Sequence, residues 1–111
     1  VSNALFTEAQ RKALLAAWRT EGPPIVKLFG GSACTWLISE MDPEDCDTLF
    51  GLADLVFGSP ELGYLSLSEI ATVRFKPFML GVERDRHWSP EKGKTLSQYA
   101  DEARAAGRIR A

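Results

Sequence analysis

The apolar positions of this chain change period along its length, and the changes divide it into elements. Leu14, Leu15 and Trp18 recur at helical spacing behind Thr7. Thr7 and Gln10 have the spacing of a capping box, so a first helix is predicted over 8–20. Gly22 is placed to take the left-handed position after it, and Pro23-Pro24 bars continuation. Residues 25–29 then read as a short strand and 34–41 as a second, joined by Gly30-Gly31-Ser32-Ala33 as a hairpin connection. In the second strand Cys34, Trp36 and Ile38 face one way and Thr35, Leu37 and Ser39 the other.

Asp42-Pro43-Glu44-Asp45 has turn composition. A third strand is predicted over 48–56, broken by Gly58-Ser59-Pro60, and a fourth over 62–65. Ser66 and Glu69 form a second capping box, with Leu65 and Ile70 as its hydrophobic staple, so a short helix should run to Arg74. Residues 80–88 alternate, with Val82, Arg84, Arg86 and Trp88 on one face and Glu83, Asp85 and His87 on the other. That polarity fits an edge strand or a partly exposed sheet face. Thr95 and Gln98 cap a last helix over 96–106, whose Leu96, Tyr99, Ala100 and Ala103 share a face and which Gly107 terminates. The order predicts an α+β domain: a small antiparallel sheet of four to five strands with two or three helices packed on one face.

With 111 residues, 45% hydrophobic and 25% charged, the chain is sized for one folded domain over 1–111 and is too apolar for disorder. Residues 1–4 are set aside as disordered or tag-derived, and 91–111 form the C-terminal helical segment. No run approaches the ~18 apolar residues of a membrane span, and no signal-peptide pattern opens the chain, so the expected setting is the cytoplasm, away from membranes. Cys34 and Cys46 lack ligand spacing, and Cys34 reads as a small buried hydrophobe in a strand.

The net charge of −2 hides a strong segregation. Residues 28–73 hold eight carboxylates and no Lys or Arg, while the flanking segments are basic. The candidate binding surface is therefore acidic, made of Asp42, Glu44, Asp45, Asp47, Asp54 and Glu61, and the partner it calls for is a basic protein. A Ca²⁺ loop does not fit, since the sixth and twelfth positions from Asp42 are Asp47 and Ala53 in place of Gly and Glu. No metal site and no cofactor are expected.

An alternative catalytic cluster is His87 with Glu83 and Asp85, as a metal-assisted hydrolase or nuclease would use. A further alternative is a DNA-associated factor using Lys92, Lys94, Arg104, Arg108 and Arg110, which the acidic middle opposes. Trp36, Trp88, Phe50, Phe57, Phe75 and Phe78 read mostly as core. Phe75-Lys76-Pro77-Phe78-Met79 also reads as an apolar loop that would anchor a partner if exposed.

Four stretches carry a resemblance: Asp42-Pro43-Glu44-Asp45; Phe50-Gly51-Leu52 with Asp54; the run Pro60-Glu61-Leu62-Gly63-Tyr64-Leu65-Ser66-Leu67-Ser68-Glu69-Ile70; and Val82-Glu83-Arg84-Asp85-Arg86-His87-Trp88. In these the chain resembles an uncharacterised bacterial family of small proteins of unknown function, encoded largely on plasmids, conjugative elements and phages. The resemblance covers about 24–90 and brings no catalytic residues with it. It implies a non-enzymatic interaction protein of a mobile genetic element, with anti-defence inhibition (anti-CRISPR or anti-restriction) as its form.

Overall fold

In a computed structural model, which describes residues 5–31, 33–55 and 59–111, the described residues form three helices and seven strands. Helix α1 (Glu8–Ala16) begins as its sequence dictates. Gln10 N donates to Thr7 Oγ1 at 3.0 Å and Thr7 N donates to Gln10 Oε1 at 2.9 Å, which satisfies two of the N–H groups a helix start leaves open. The helix ends four residues before the expected Thr20. Arg19 and Glu21 adopt left-handed φ values of 66° and 57°, and their N–H groups donate to the Glu40 carboxylate at 2.9 and 3.1 Å. A buried acceptor on another element thus ends the helix before Gly22 is reached.

Strands β1 (Val26–Gly30), β2 (Cys34–Asp42), β3 (Asp45–Asp54) and β4 (Glu61–Ser66) pair antiparallel in the order β4-β3-β2-β1. Within β2 a bulge between Ile38 and Glu40 changes its register with β3. Helix α2 (Leu67–Thr72) follows directly, with Ser66 Oγ accepting Glu69 N as its cap. Helix α3 (Leu96–Ala106) has the predicted capping box and ends at Gly107 with φ 80°.

The α+β class, the antiparallel sheet and two helices on one face are as expected; the third helix, α3, takes the other face. Val26, Leu28, Trp36 and Ile38 form a core with Leu5, Phe6 and Leu14 of the α1 region and Ile70 of α2. On the opposite face Leu37 and Leu52 pack against Leu96, Tyr99, Ala100, Ala103 and Ile109. Two faces are buried because β2 is apolar on both: Trp36, Leu37 and Ile38 are each at most 3% exposed.

The expected single strand over 80–88 is also divided. Strands β5 (Arg74–Phe75) and β6 (Leu80–Gly81) make a separate two-stranded hairpin, while β7 (Glu83–Arg84) joins the main sheet beside Leu28 and Phe29 of β1. Val82 lies between them, half-buried against the α1-side core. The last backbone bond to β1 is from Asp85 N to Lys27 O at 2.9 Å, and Asp85 Oδ1 then accepts His87 N at 3.0 Å in a local turn. Residues 1–4, Ser32 in the first hairpin connection, the reach of the third strand to Val56, the core place of Phe57 and the break at Gly58 lie outside the described residues.

Candidate interaction surface

The β2–β3 turn gathers four of the six candidate carboxylates. Asp42 Oδ1 accepts Glu44 N at 2.8 Å, and Asp45 accepts Asp47 N at 3.1 Å and Thr48 Oγ1 at 3.0 Å. Asp47 takes the Ser66 hydroxyl at 2.7 Å, Ser68 N at 2.7 Å and the Ser68 hydroxyl at 3.1 Å. These bonds pin the β4–α2 corner to β3. They favour the ionised form, so the Ser66 hydroxyl first and the Ser68 N–H next hold Asp47 below the usual carboxylate range.

A depressed folded value means that this stabilisation is complete above the unfolded value of about 3.9, and is lost as pH falls through the lower folded one. Asp47→Asn is therefore expected to destabilise the protein at neutral pH and to narrow its deficit against wild type in acid. Denaturant melts at both pH extremes check this; a deficit that stays constant through the acid range would refute it.

The other two carboxylates are elsewhere. Asp54 lies at the far end of β3 from Asp45, roughly 30 Å along an extended strand. It is 4% exposed, and its Oδ2 accepts Ile109 N at 3.0 Å, fastening the chain after α3 to the sheet. Glu61 is exposed and pairs with Ala53 at that same end. The six residues thus form one acidic turn and two separate positions.

The alternative cluster is not assembled into a metal-holding group. Asp85 faces Lys27 at 3.7 Å, His87 is exposed in the turn, and Glu83 sits beside a different cleft. No group of three His, Cys, Asp or Glu side chains able to hold a metal occurs among the described residues. In the C-terminal segment Lys94 lies over the Tyr99 ring at 4.3 Å and bonds Glu102 at 2.5 Å and Glu91 at 3.4 Å, and Arg104 pairs with Asp101 at 3.5 Å. Glu91 and Glu102 line the same open groove as Lys94 and Arg110, which weakens it as a polyanion site. Both thiols are free. Cys34 is partly buried against the α1-side core, not fully buried as expected, and burial, with the Asp54 carboxylate after it, pushes its thiol up, which disfavours a nucleophile. Among the described residues no helix is long and apolar enough to cross a membrane.

The apolar loop is where exposure concentrates. Phe78 is 80% exposed, Met79 55% and Leu80 59%, in the turn and second strand of the β5–β6 hairpin. Phe75, at the base, is half-buried and turns inward. Its ring lies on Gly30 and Gly31: a Cβ on Gly30 would overlap Phe75 Cε2, and one on Gly31, whose φ is +60°, would come within 2.8 Å of Phe75 Cδ1. At Gly31 the conformation favours glycine, and at both positions a Cβ would push the ring from its seat. Between hairpin and β1 is a cleft of about 390 Å³, walled by Phe29, Phe75, Phe78 and Leu80, with Lys76 and Glu83 among its lining residues.

A family model described as "Protein of unknown function (DUF2958)" matches residues 2–110. The chain belongs to the DUF2958 family. No curated protein and no solved structure matches it. In this DUF2958 chain, sequence reading located the apolar loop but placed Phe78 with the core. It missed Phe29, Leu80 and the Gly30-Gly31 seat as parts of one cleft. The diglycine was the available signal, since adjacent glycines in a connection mark a close approach as readily as a turn.

Proposed function

We propose that this DUF2958 chain is a non-enzymatic protein-interaction module that grips its partner with the β5–β6 hairpin. The observation that carries this reading is the contiguous exposure of Phe78, Met79 and Leu80 above an apolar cleft. Exposed apolar patches of this kind mark contact sites, and aromatic and Met side chains are enriched at the centres of interfaces. Because Phe75 is seated on the glycines, the hairpin is anchored before it binds and loses less freedom on association.

The acidic β2–β3 turn supports a second contact in the same module, toward a basic partner. Asp42, Glu44, Asp45 and Asp47 converge there, and Glu44 and Asp45 are exposed. In the mobile-element setting that the resemblance implies, we place this contact on a host defence protein, with the acidic turn competing for a groove that otherwise takes nucleic acid.

Pull-downs from host lysate at low and high salt test both contacts. Phe78→Ser with Leu80→Ser is expected to abolish capture of the principal partner at either salt, with stability within about 0.5 kcal/mol of wild type, because both side chains are exposed. Asp42→Asn with Glu44→Gln and Asp45→Asn keeps an oxygen to accept Glu44 N and Asp47 N and should weaken only salt-sensitive capture. Unchanged capture by the hairpin variant would overturn the first contact, and unchanged capture by the turn variant the second.

A further inference from the structure

The two edges of the sheet are finished differently. At one edge β1 is covered by β7, over Leu28 and Phe29. At the other, β4 pairs with β3 along its whole length from Glu61 to Ser66, and no strand among the described residues takes its outer side. Natural edges are blunted by Lys, Pro, bulges or extreme shortness. Strand β4 has none of these between Leu62 and Leu65: it is uncharged there, lacks Pro, and keeps one unbroken register. Above Gly63 the space is open, with nothing within 4 Å of where a Cβ would stand.

We propose that β4 pairs antiparallel with β4 of a second copy of this chain, joining two five-stranded sheets into one. A two-fold contact requires a strand complementary to itself, and the sequence Glu61-Leu62-Gly63-Tyr64-Leu65 is so when centred on Gly63. Residues directly opposite in an antiparallel pair share a face. Leu62 then meets Tyr64 of the second copy, and Tyr64 meets its Leu62, in one apolar block on the α3 side. There Tyr64 is 69% exposed although its ring is 5.3 Å from that of Phe50 and 6.3 Å from that of Trp18. The second strand covers the side of this aromatic group that the chain itself leaves open.

Charge agrees with the register. Glu61, the strand's one ionisable carboxylate, falls opposite Leu65 and away from Glu61 of the second copy. A one-residue slip would set the α3 side of one sheet against the α1 side of the other, so the alternation of faces excludes odd slips. The hairpin cleft belongs to the opposite edge of the sheet, beside β1. A dimer through β4 therefore carries two clefts pointing away from each other, and a partner with two copies of the bound segment gains avidity.

Sedimentation velocity of the full chain across micromolar to millimolar concentrations tests the pairing, beside Gly63→Lys. That variant has room for its side chain in the folded chain and sets two cations face to face at the two-fold. The expected result is a concentration-dependent wild-type dimer and a folded variant that stays monomeric. In a Cys34→Ser, Cys46→Ser background, Gly63→Cys should oxidise to a covalent dimer and Glu61→Cys should not. A wild-type chain that stays monomeric throughout, a dimer that survives Gly63→Lys, or equal cross-linking by both cysteine variants would overturn the proposal.

Discussion

Replacing Glu40 with alanine is expected to lower the stability of the fold by about 2–4 kcal/mol, among the largest losses any single carboxylate here could produce. Glu40 is 5% exposed, yet it forms no ion pair among the described residues. Its two oxygens instead take Arg19 N and Glu21 N, in a segment whose left-handed residues are neither Gly nor Asn. Such residues hold that conformation at a cost and need a compensating contact. Alanine removes the acceptor for both N–H groups at once and leaves a space where β2 bulges.

At roughly 4 °C per kcal/mol for a domain of this size, the midpoint should fall by about 8–16 °C. Glu40→Gln keeps one acceptor oxygen and should lie between the two. Thermal and denaturant melts read both variants. A Glu40→Ala midpoint within a degree or two of wild type would mean that water replaces the carboxylate and that the 17–22 segment holds its shape unaided.

The same segment explains which parts of the fold the sequence carried. Helix α3 was readable to the residue because its capping box, apolar face and terminal glycine are all local. The end of α1 was not, because the group that ends it is about twenty residues away on β2 and nothing between Trp18 and Gly22 announces it. The alternation in β2 was read correctly, with Leu37 opposite in sense to Trp36 and Ile38. A fully apolar run in a strand already implies that both faces are covered, and that inference would have divided the helices between the two sides.

The candidate surface shows the same contrast between local and distant causes. The acidic turn was visible because its carboxylates are adjacent in sequence. Asp54 was grouped with them by charge alone, although it and Asp45 stand at opposite ends of a ten-residue strand and its role is to hold the segment after α3. The loop around Phe78 was visible as an apolar run among turn residues. The cleft beneath it was not, because its other wall is β1, more than forty residues earlier.

Gly51 gives the second large effect. It lies in β3 opposite Ile38, with β4 on its other side, so its backbone is held by strands on both edges. A Cβ at this position would overlap the carbonyl oxygen of Leu37 and come within 3.1 Å of Ile38 Cδ1 and 3.2 Å of Ile38 Cα. The conflict at Gly30 is with the end of an aromatic ring, which can swing aside. At Gly51 the obstacle is the backbone of β2, next to the bulge at which Ser39 is inserted. Relief requires β2 and β3 to separate, and Leu37 and Leu52 on one face and Ile38 on the other would lose their packing together. Gly51→Ala is therefore expected to cost about 3 kcal/mol or more, as overpacking against a fixed neighbour does, although alanine ordinarily exceeds glycine in strand preference. A midpoint roughly 12 °C or more below wild type is the corresponding thermal result. Gly63→Ala in β4, where the space is open, is the control and should leave the midpoint level or slightly raised. Equal melting of the two alanine variants would show that β2 yields at its bulge, and that the close approach of Leu37 to Gly51 does not constrain the sheet.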